Sequence, residues 1–104
     1  TIHVPGNMDG SAILNQEELS DFKDGAFLVN VSRGGVVNED ALYESLTNGK
    51  LSAAALDVFS NEPYKGKLCD LDNVILTPHI GSYAKEGKLK MEVDAVMNLV
   101  NALK

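Results

Sequence analysis

The sequence predicts an α/β fold, a parallel sheet of about four strands with flanking helices. Three observations predict it. Short apolar runs recur at residues 2–4, 26–31, 53–59 and 74–76. Helical spacing and capping residues fill the stretches between them. Each run is followed by a glycine, proline or polar turn segment. Strands that alternate with helices imply right-handed crossovers, and hence parallel pairing.

The elements follow in order. Ile2, His3 and Val4 form a short strand candidate, stopped by Pro5-Gly6. A chain opening in mid-strand at Thr1, without an initiator Met, is expected to be a piece of something longer. Asn15 and Glu18 have the spacing of a capping box, so a short helix should run through Leu19 and Phe22. Asp24-Gly25 should end it, glycine being free to adopt the left-handed conformation. Ala26-Phe27-Leu28-Val29-Asn30-Val31 is nearly all apolar, which suits a strand buried on both faces.

Asn38 should cap the next helix, with Glu39 and Asp40 at its positive end. Leu42 and Leu46 lie on one face of it, and Asn48-Gly49 stops it. The run at residues 53–59 is rich in small side chains, so a helix should pack closely on it. Val74-Ile75-Leu76 is the last run, ended by Thr77-Pro78. From about residue 83 to 103 the spacing is helical, with Leu89, Val93, Val96, Met97, Val100 and Leu103 in one stripe.

Composition narrows the function. A chain of 104 residues is one domain at most, with a small core and a thin stability margin. Apolar residues make up 44% and charged ones 23%, ordinary for a soluble domain, and no stretch is long enough to span a membrane. No charged-then-apolar segment resembles a signal peptide. The net charge of −6 argues against nucleic acid, because Lys85, Lys88 and Lys90 are interrupted by Glu86 and Glu92. The single cysteine, Cys69, excludes an internal disulfide and a multi-cysteine metal site, so no metal is expected. It also fits a reducing, cytoplasmic setting.

Parallel strands all point one way, so the segments after them line one edge of the sheet, where open α/β folds bind ligands. Ser32-Arg33-Gly34-Gly35 follows one run, Asn61-Glu62-Pro63 another, and Pro78-His79-Ile80-Gly81 the last. An arginine, a carboxylate and a histidine thus leave neighbouring strands about 4.8 Å apart. Arginine offers a planar fork of donors matched to a carboxylate. Histidine exchanges a proton near neutral pH, and an adjacent carboxylate fixes its tautomer and favours the imidazolium. The trio suits interconversion of a hydroxy acid and a keto acid. No side chain can accept the hydride, so that step needs a nicotinamide.

Three segments carry a resemblance: Val29-Asn30-Val31-Ser32-Arg33-Gly34-Gly35-Val36-Val37, Ala55-Leu56-Asp57-Val58-Phe59 and Asn73-Val74-Ile75-Leu76-Thr77-Pro78-His79-Ile80-Gly81. Together, in this order, they resemble the D-isomer-specific 2-hydroxyacid dehydrogenase family, most closely its phosphoglycerate dehydrogenase branch. The resemblance covers nearly the whole chain. It implies half of a Rossmann-like doubly wound fold, with residues 1–104 as the second half of a nucleotide-binding domain. It also implies NAD or NADP as cofactor and a D-2-hydroxy acid, such as 3-phosphoglycerate, as substrate.

By the resemblance, His79 is the acid/base, Glu62 its carboxylate partner and Arg33 the substrate-carboxylate anchor. Asp57 corresponds to the acceptor for the nicotinamide carboxamide. Val31 and Ser32 correspond to cofactor contacts, His3 and Pro5 to the segment passing the adenosine side, and Gly81 and Ser82 to the turn beside the nicotinamide.

One departure stands out: the glycine-rich phosphate loop G-x-G-x-x-G is not among these residues. The ribose-reading acidic residue and the substrate domain are implied to lie outside them as well. Without them the chain alone is expected to bind nicotinamide nucleotides very weakly and to be inactive. Apolar surface bare in such a piece is expected to drive homo-oligomer formation, as a dimer or a swapped assembly. The alternative to an enzyme is an inactive fragment, or a binding or regulatory module, since the family includes corepressors.

Overall fold

A computed structural model describes residues 1–104. The elements are α1 (Gln16–Ser20), β1 (Ala26–Asn30), α2 (Glu39–Thr47), β2 (Leu51–Leu56), a 3-10 turn (Lys67–Asp70), β3 (Val74–Leu76) and α3 (Lys85–Ala102). The sheet order is β1-β2-β3, and both pairings are parallel. The α/β class and the parallel sheet are therefore as expected.

The sheet has three strands rather than about four. Residues 2–4 contribute only a single bridge, Ile2 to Asn30, with the Ile2 N–H donating to the Val29 carbonyl at 3.0 Å. Pro5 has no N–H to extend a ladder. Gly6, at φ +88°, then turns the chain away.

Local signals explain the elements that did form. The Asn15 N–H donates to Glu18 Oε2 at 2.8 Å, the backward half of the expected capping box. Asn38 Oδ1 accepts from the Ala41 N–H at 3.0 Å and starts α2. Asn48 closes that helix, and Gly49 at φ +84° reverses the chain into β2. Gly25, also left-handed, lies beyond the end of α1 and launches β1, its N–H donating to the Lys50 carbonyl.

The core lies on one side of the sheet. Leu28, Ala54 and Leu56 from the strands meet Leu19 of α1 and Ala41, Leu42 and Leu46 of α2. Ala54 is the small residue under α2, as its place in an alanine-rich strand implied. The expectation that residues 26–31 are buried on both faces does not hold. Burial alternates along β1: Leu28 and Asn30 point inward, whereas Phe27 and Val29 are exposed. Ala53, Ala55 and Ile75 share that uncovered face. Nothing in these 104 residues packs against it.

The last helix begins at Lys85, after a turn in which the Tyr83 N–H donates to the Ile80 carbonyl. It has no buried residue, and its stripe from Leu89 to Leu103 is exposed. It projects from the body and stretches the molecule to 56 × 27 × 23 Å. No helix is long and apolar enough to cross a membrane.

Two glycines lend themselves to a contrast. A Cβ on Gly34 would sit 1.8 Å from the Phe59 carbonyl oxygen, whereas one on Gly87 in α3 would meet nothing within 4 Å. Gly34→Ala should therefore cost about 1–3 kcal/mol by overpacking against backbone. Gly87→Ala should raise helicity and add about 0.5–1 kcal/mol of local helix stability. Urea unfolding and circular dichroism of the two variants check this, and equal effects of the same sign would contradict it.

Candidate active site

All three strands release the chain at one edge. β1 ends on Asn30, a polar residue that is only 2% exposed. Its Oδ1 accepts from the Ser32 N–H at 3.0 Å and the Ser32 hydroxyl at 2.8 Å, and its Nδ2 donates to the Arg33 carbonyl at 3.2 Å. A buried amide thus shapes the turn carrying Arg33. Gly34 follows directly against the Phe59 backbone. The Arg33 guanidinium donates to the Ser32 carbonyl at 2.7 Å and forms no ion pair.

β2 leads into Asp57, whose N–H donates to the Asn30 carbonyl. The Asp57 carboxylate is buried and accepts from the Thr77 hydroxyl at 2.5 Å, the Ile80 N–H at 2.9 Å and the Gly81 N–H at 2.8 Å. Burial pushes its carboxyl upward, but the bonds from Thr77, Ile80 and Gly81, with the nearby His79, hold it below the ordinary carboxylate range. The chain then passes the Phe59–Tyr64 ring stack, centroids 4.6 Å apart, and presents Glu62.

β3 leads through Thr77-Pro78 to His79, the one residue other than glycine with positive φ, at +57°. Such a conformation costs roughly 1–2 kcal/mol and persists where its surroundings enforce it, often at functional sites. Here the His79 N–H closes a tight turn onto the Thr77 carbonyl at 3.0 Å. The ring Nδ1 lies 2.8 Å from Glu62 Oε2. Glu62 Oε1 accepts from the Phe59 N–H at 3.1 Å, which fixes the carboxylate plane. His79 and the Phe59 N–H hold the Glu62 carboxyl below its usual range. With Nδ1 engaged, Nε2 is left as the ring nitrogen for proton exchange.

These loops enclose a cavity of about 510 Å³. Arg33, Asp57 and His79 line it together with Val31, Ser32, Gly81 and Ser82. Glu62 stands behind His79 in an adjoining cleft with Pro78 and Tyr83. The structure thus brings nearly every expected site residue to one place. His3 and Pro5 are exposed and line neither the cavity nor the cleft. His3 bonds only to the Thr1 hydroxyl, at 2.9 Å, beyond the Ile2–Asn30 bridge.

A larger cavity, about 600 Å³, opens at the N-terminal end of α2 between Asn38, Glu39, Ser60 and Lys67. Its one cation, Lys67, is paired with Asp40 at 3.0 Å, so it offers no uncommitted charge. Most of the expected site residues line the smaller one instead. Three contributors escaped the sequence reading: Asn30, Thr77 and Met91, the last reaching the cavity from α3. Asn30 had a signal, as the one polar residue in an apolar run. Thr77 and Met91 had none short of the tertiary structure.

Residues 1–81 match the family described as D-isomer specific 2-hydroxyacid dehydrogenase, NAD binding domain. The chain belongs to that family. Arg33, Glu62, His79 and Gly81 all fall within the matched residues of the dehydrogenase domain. The chain is 40% identical over 107 residues to hydroxypyruvate reductase of Thermotoga maritima, spanning 99% of itself and 35% of that protein. It is also 40% identical over 106 residues to D-3-phosphoglycerate dehydrogenase of Archaeoglobus fulgidus, spanning 100% of itself and 20% of that protein.

Among solved dehydrogenase-family structures, a glyoxylate reductase from Paecilomyes thermophila superposes with a TM-score of 0.88 at 34% identity, over 98% of this chain and 31% of that one. An NADPH-dependent glyoxylate/hydroxypyruvate reductase from Sinorhizobium meliloti, in complex with NADP and malonate, gives 0.75 at 38% identity, over 82% and 27%. The chain thus spans about a third or less of the relatives it matches.

Asp57 and Glu62, held low like the surface carboxyls Asp9 and Asp24, set a pH dependence. Each contributes stability that is fully present above its unfolded value, about pH 4, and lost as pH falls through its folded value. The urea midpoint should therefore drop as the pH falls below about 4. Asp57→Asn should be less stable at pH 7 and show a shallower decline. A midpoint flat across that window would show that neither carboxylate is held as described.

Proposed function

We propose that this chain is the second half of a nucleotide-binding domain whose sheet edge serves hydride exchange between a nicotinamide cofactor, NAD or NADP, and a D-2-hydroxy acid. The observation that carries the reading is His79 Nδ1 at 2.8 Å from Glu62, with an ion-pair-free Arg33 on the same cavity. The substrate class is a small 2-hydroxy or 2-keto acid, with 3-phosphoglycerate and hydroxypyruvate as candidates.

The residues present fit a nicotinamide. Asp57 Oδ2 has a single donor, Gly81 N–H, and so retains capacity to accept from a carboxamide. Gly81 supplies no side chain there, and a Cβ would lie 3.0 Å from that same oxygen. When bound, the nicotinamide supplies the hydride acceptor that no side chain provides.

The chain's own residues supply the rest. Arg33 anchors the substrate carboxylate through paired donors and so fixes which face of the reacting carbon is presented. In the oxidative direction His79 Nε2 takes the hydroxyl proton, and in the reductive direction it returns one to the carbonyl oxygen. Glu62 holds Nδ1–H, orients the ring and favours the imidazolium that forms.

The test places this segment in the matching third of the Thermotoga reductase. His79→Ala in that chimera should lower kcat about 10²–10⁴-fold while leaving cofactor affinity nearly unchanged. Arg33→Ala should chiefly raise the KM for the keto acid. Equal losses of turnover and cofactor binding in the His79 variant would make His79 structural. The 104-residue chain alone should show no turnover and no micromolar affinity for NAD by isothermal titration. A cytoplasmic setting is part of the same proposal, supported by the single cysteine of these residues, Cys69, which is unpaired.

Two bare apolar surfaces further support self-association: the sheet face of Phe27, Val29 and Ile75, and the α3 stripe. Both carry large apolar side chains that are more than a third exposed. A second copy offering its α3 to this sheet face would cover both. Light scattering should show a dimer at micromolar concentrations, shifted to monomer by Ile75→Glu. A clean monomer throughout would exclude it.

A further inference from the structure

We infer that Thr77 is a positioning residue for His79, acting through the buried Asp57 carboxylate. Describing His79 as the group it serves rests on the dehydrogenase reading; the hydrogen bonds themselves do not. Thr77 stands two residues before His79, and Ile80 and Gly81 are the two residues after it. All three donate to Asp57: the Thr77 hydroxyl and Ile80 N–H to Oδ1, and the Gly81 N–H to Oδ2. One carboxylate thus grips the turn on both sides of the histidine.

The grip has a purpose the local sequence cannot serve. His79 is left-handed at φ +57°, a conformation uncommon for residues other than glycine and kept where the surroundings enforce it. The turn's own bond, His79 N–H to the Thr77 carbonyl, spans one residue and leaves the far side free to swing. Asp57 supplies that far-side restraint. Its own position is set by the Asn30 carbonyl on its N–H and by burial at the end of β2.

Thr77 is the member of the set with a replaceable donor. Ile80 and Gly81 contribute backbone N–H groups, which only proline would remove, and it would distort the turn as well. Without the Thr77 hydroxyl, Oδ1 keeps one donor, and the N-terminal side of the turn is held only by the ladder bond from the Thr77 N–H to the Leu56 carbonyl at 3.0 Å, with no tie to the Asp57 carboxylate. His79 would then lose its fixed approach to Glu62, since Nδ1 is held at 2.8 Å only while the turn keeps its shape.

Thr77→Val preserves shape and removes the donor; Thr77→Ser keeps the donor. In the 104-residue chain, Thr77→Val should speed amide hydrogen exchange at Ile80 and Gly81 at least about tenfold. The His79 backbone coupling constant should move off its left-handed value. Amides of β1 and β2 should exchange as before, and Thr77→Ser should restore both signals. If Ile80, Gly81 and His79 are unchanged in Thr77→Val, or if serine fails to restore them, the inference is wrong.

Should Thr77→Val not fold, the unsubstituted chain still decides. Lowering the pH should shift the Thr77, Ile80 and Gly81 signals together with the Asp57 carboxyl carbon, and separate midpoints would overturn the grip. In the chimeric reductase Thr77→Val should lower kcat about 10- to 100-fold with cofactor KM nearly constant. A silent Thr77→Val beside a crippling His79→Ala would refute the positioning role alone. A silent His79→Ala would instead refute the dehydrogenase reading.

Discussion

Parallel pairing of β1 with β2 and of β2 with β3 is the constraint on which the rest of the molecule depends. It sends the chain out of the sheet three times at the same edge, in the same direction. Each exit leaves backbone groups that no further strand pairing satisfies. Two buried side chains take them up: Asn30 at the end of β1 and Asp57 just past the end of β2. The same two groups shape the turns that carry Arg33 and His79. Satisfying the backbone and arranging the candidate site are one physical act here.

The arrangement also bears on how an acidic chain would receive the acidic substrate proposed for it. The net charge is −6, and two carboxylates stand near the cavity. Both are occupied. Asp57 is surrounded by donors from Thr77, Ile80 and Gly81, and Glu62 by His79 and the Phe59 N–H. Their charge is spent on fixed internal donors. Arg33, by contrast, meets only a backbone carbonyl, so its guanidinium keeps most of its donors for a ligand.

What could be read beforehand follows from range. Signals that act within four residues were legible: Asn38 over α2, the Asn15–Glu18 spacing, and the stop at Asn48-Gly49. The order of the motifs predicted that Arg33, Glu62 and His79 leave the sheet at one edge, because strand direction follows from connection length; Arg33 and His79 share the cavity, with Glu62 behind His79. Burial was less legible. An apolar run reads alike whether one or both faces are covered, and only the alternation of Leu28 with Phe27 and Val29 shows that one face is open. Residues 2–4 looked like a strand by composition, but a strand is made by its neighbour's ladder, which Pro5 and Gly6 cut short. Thr77 was opaque because its partner lies 20 residues away.

The open face and the free helix belong together with the closed edge. Packing lies on one side of the sheet: α2 covers β2, the 3-10 turn bridges α2 and β3, and α1 rests on α2. The loops at the edge depend on the register of the strands and on hydrogen bonds, not on the uncovered face. Phe27, Val29 and Ile75 can therefore be covered by another surface without disturbing Asn30 or Asp57, whose side chains serve the loops beyond the strand ends. Met91 is the exception, since α3 lends it to the cavity while the rest of that helix stands clear.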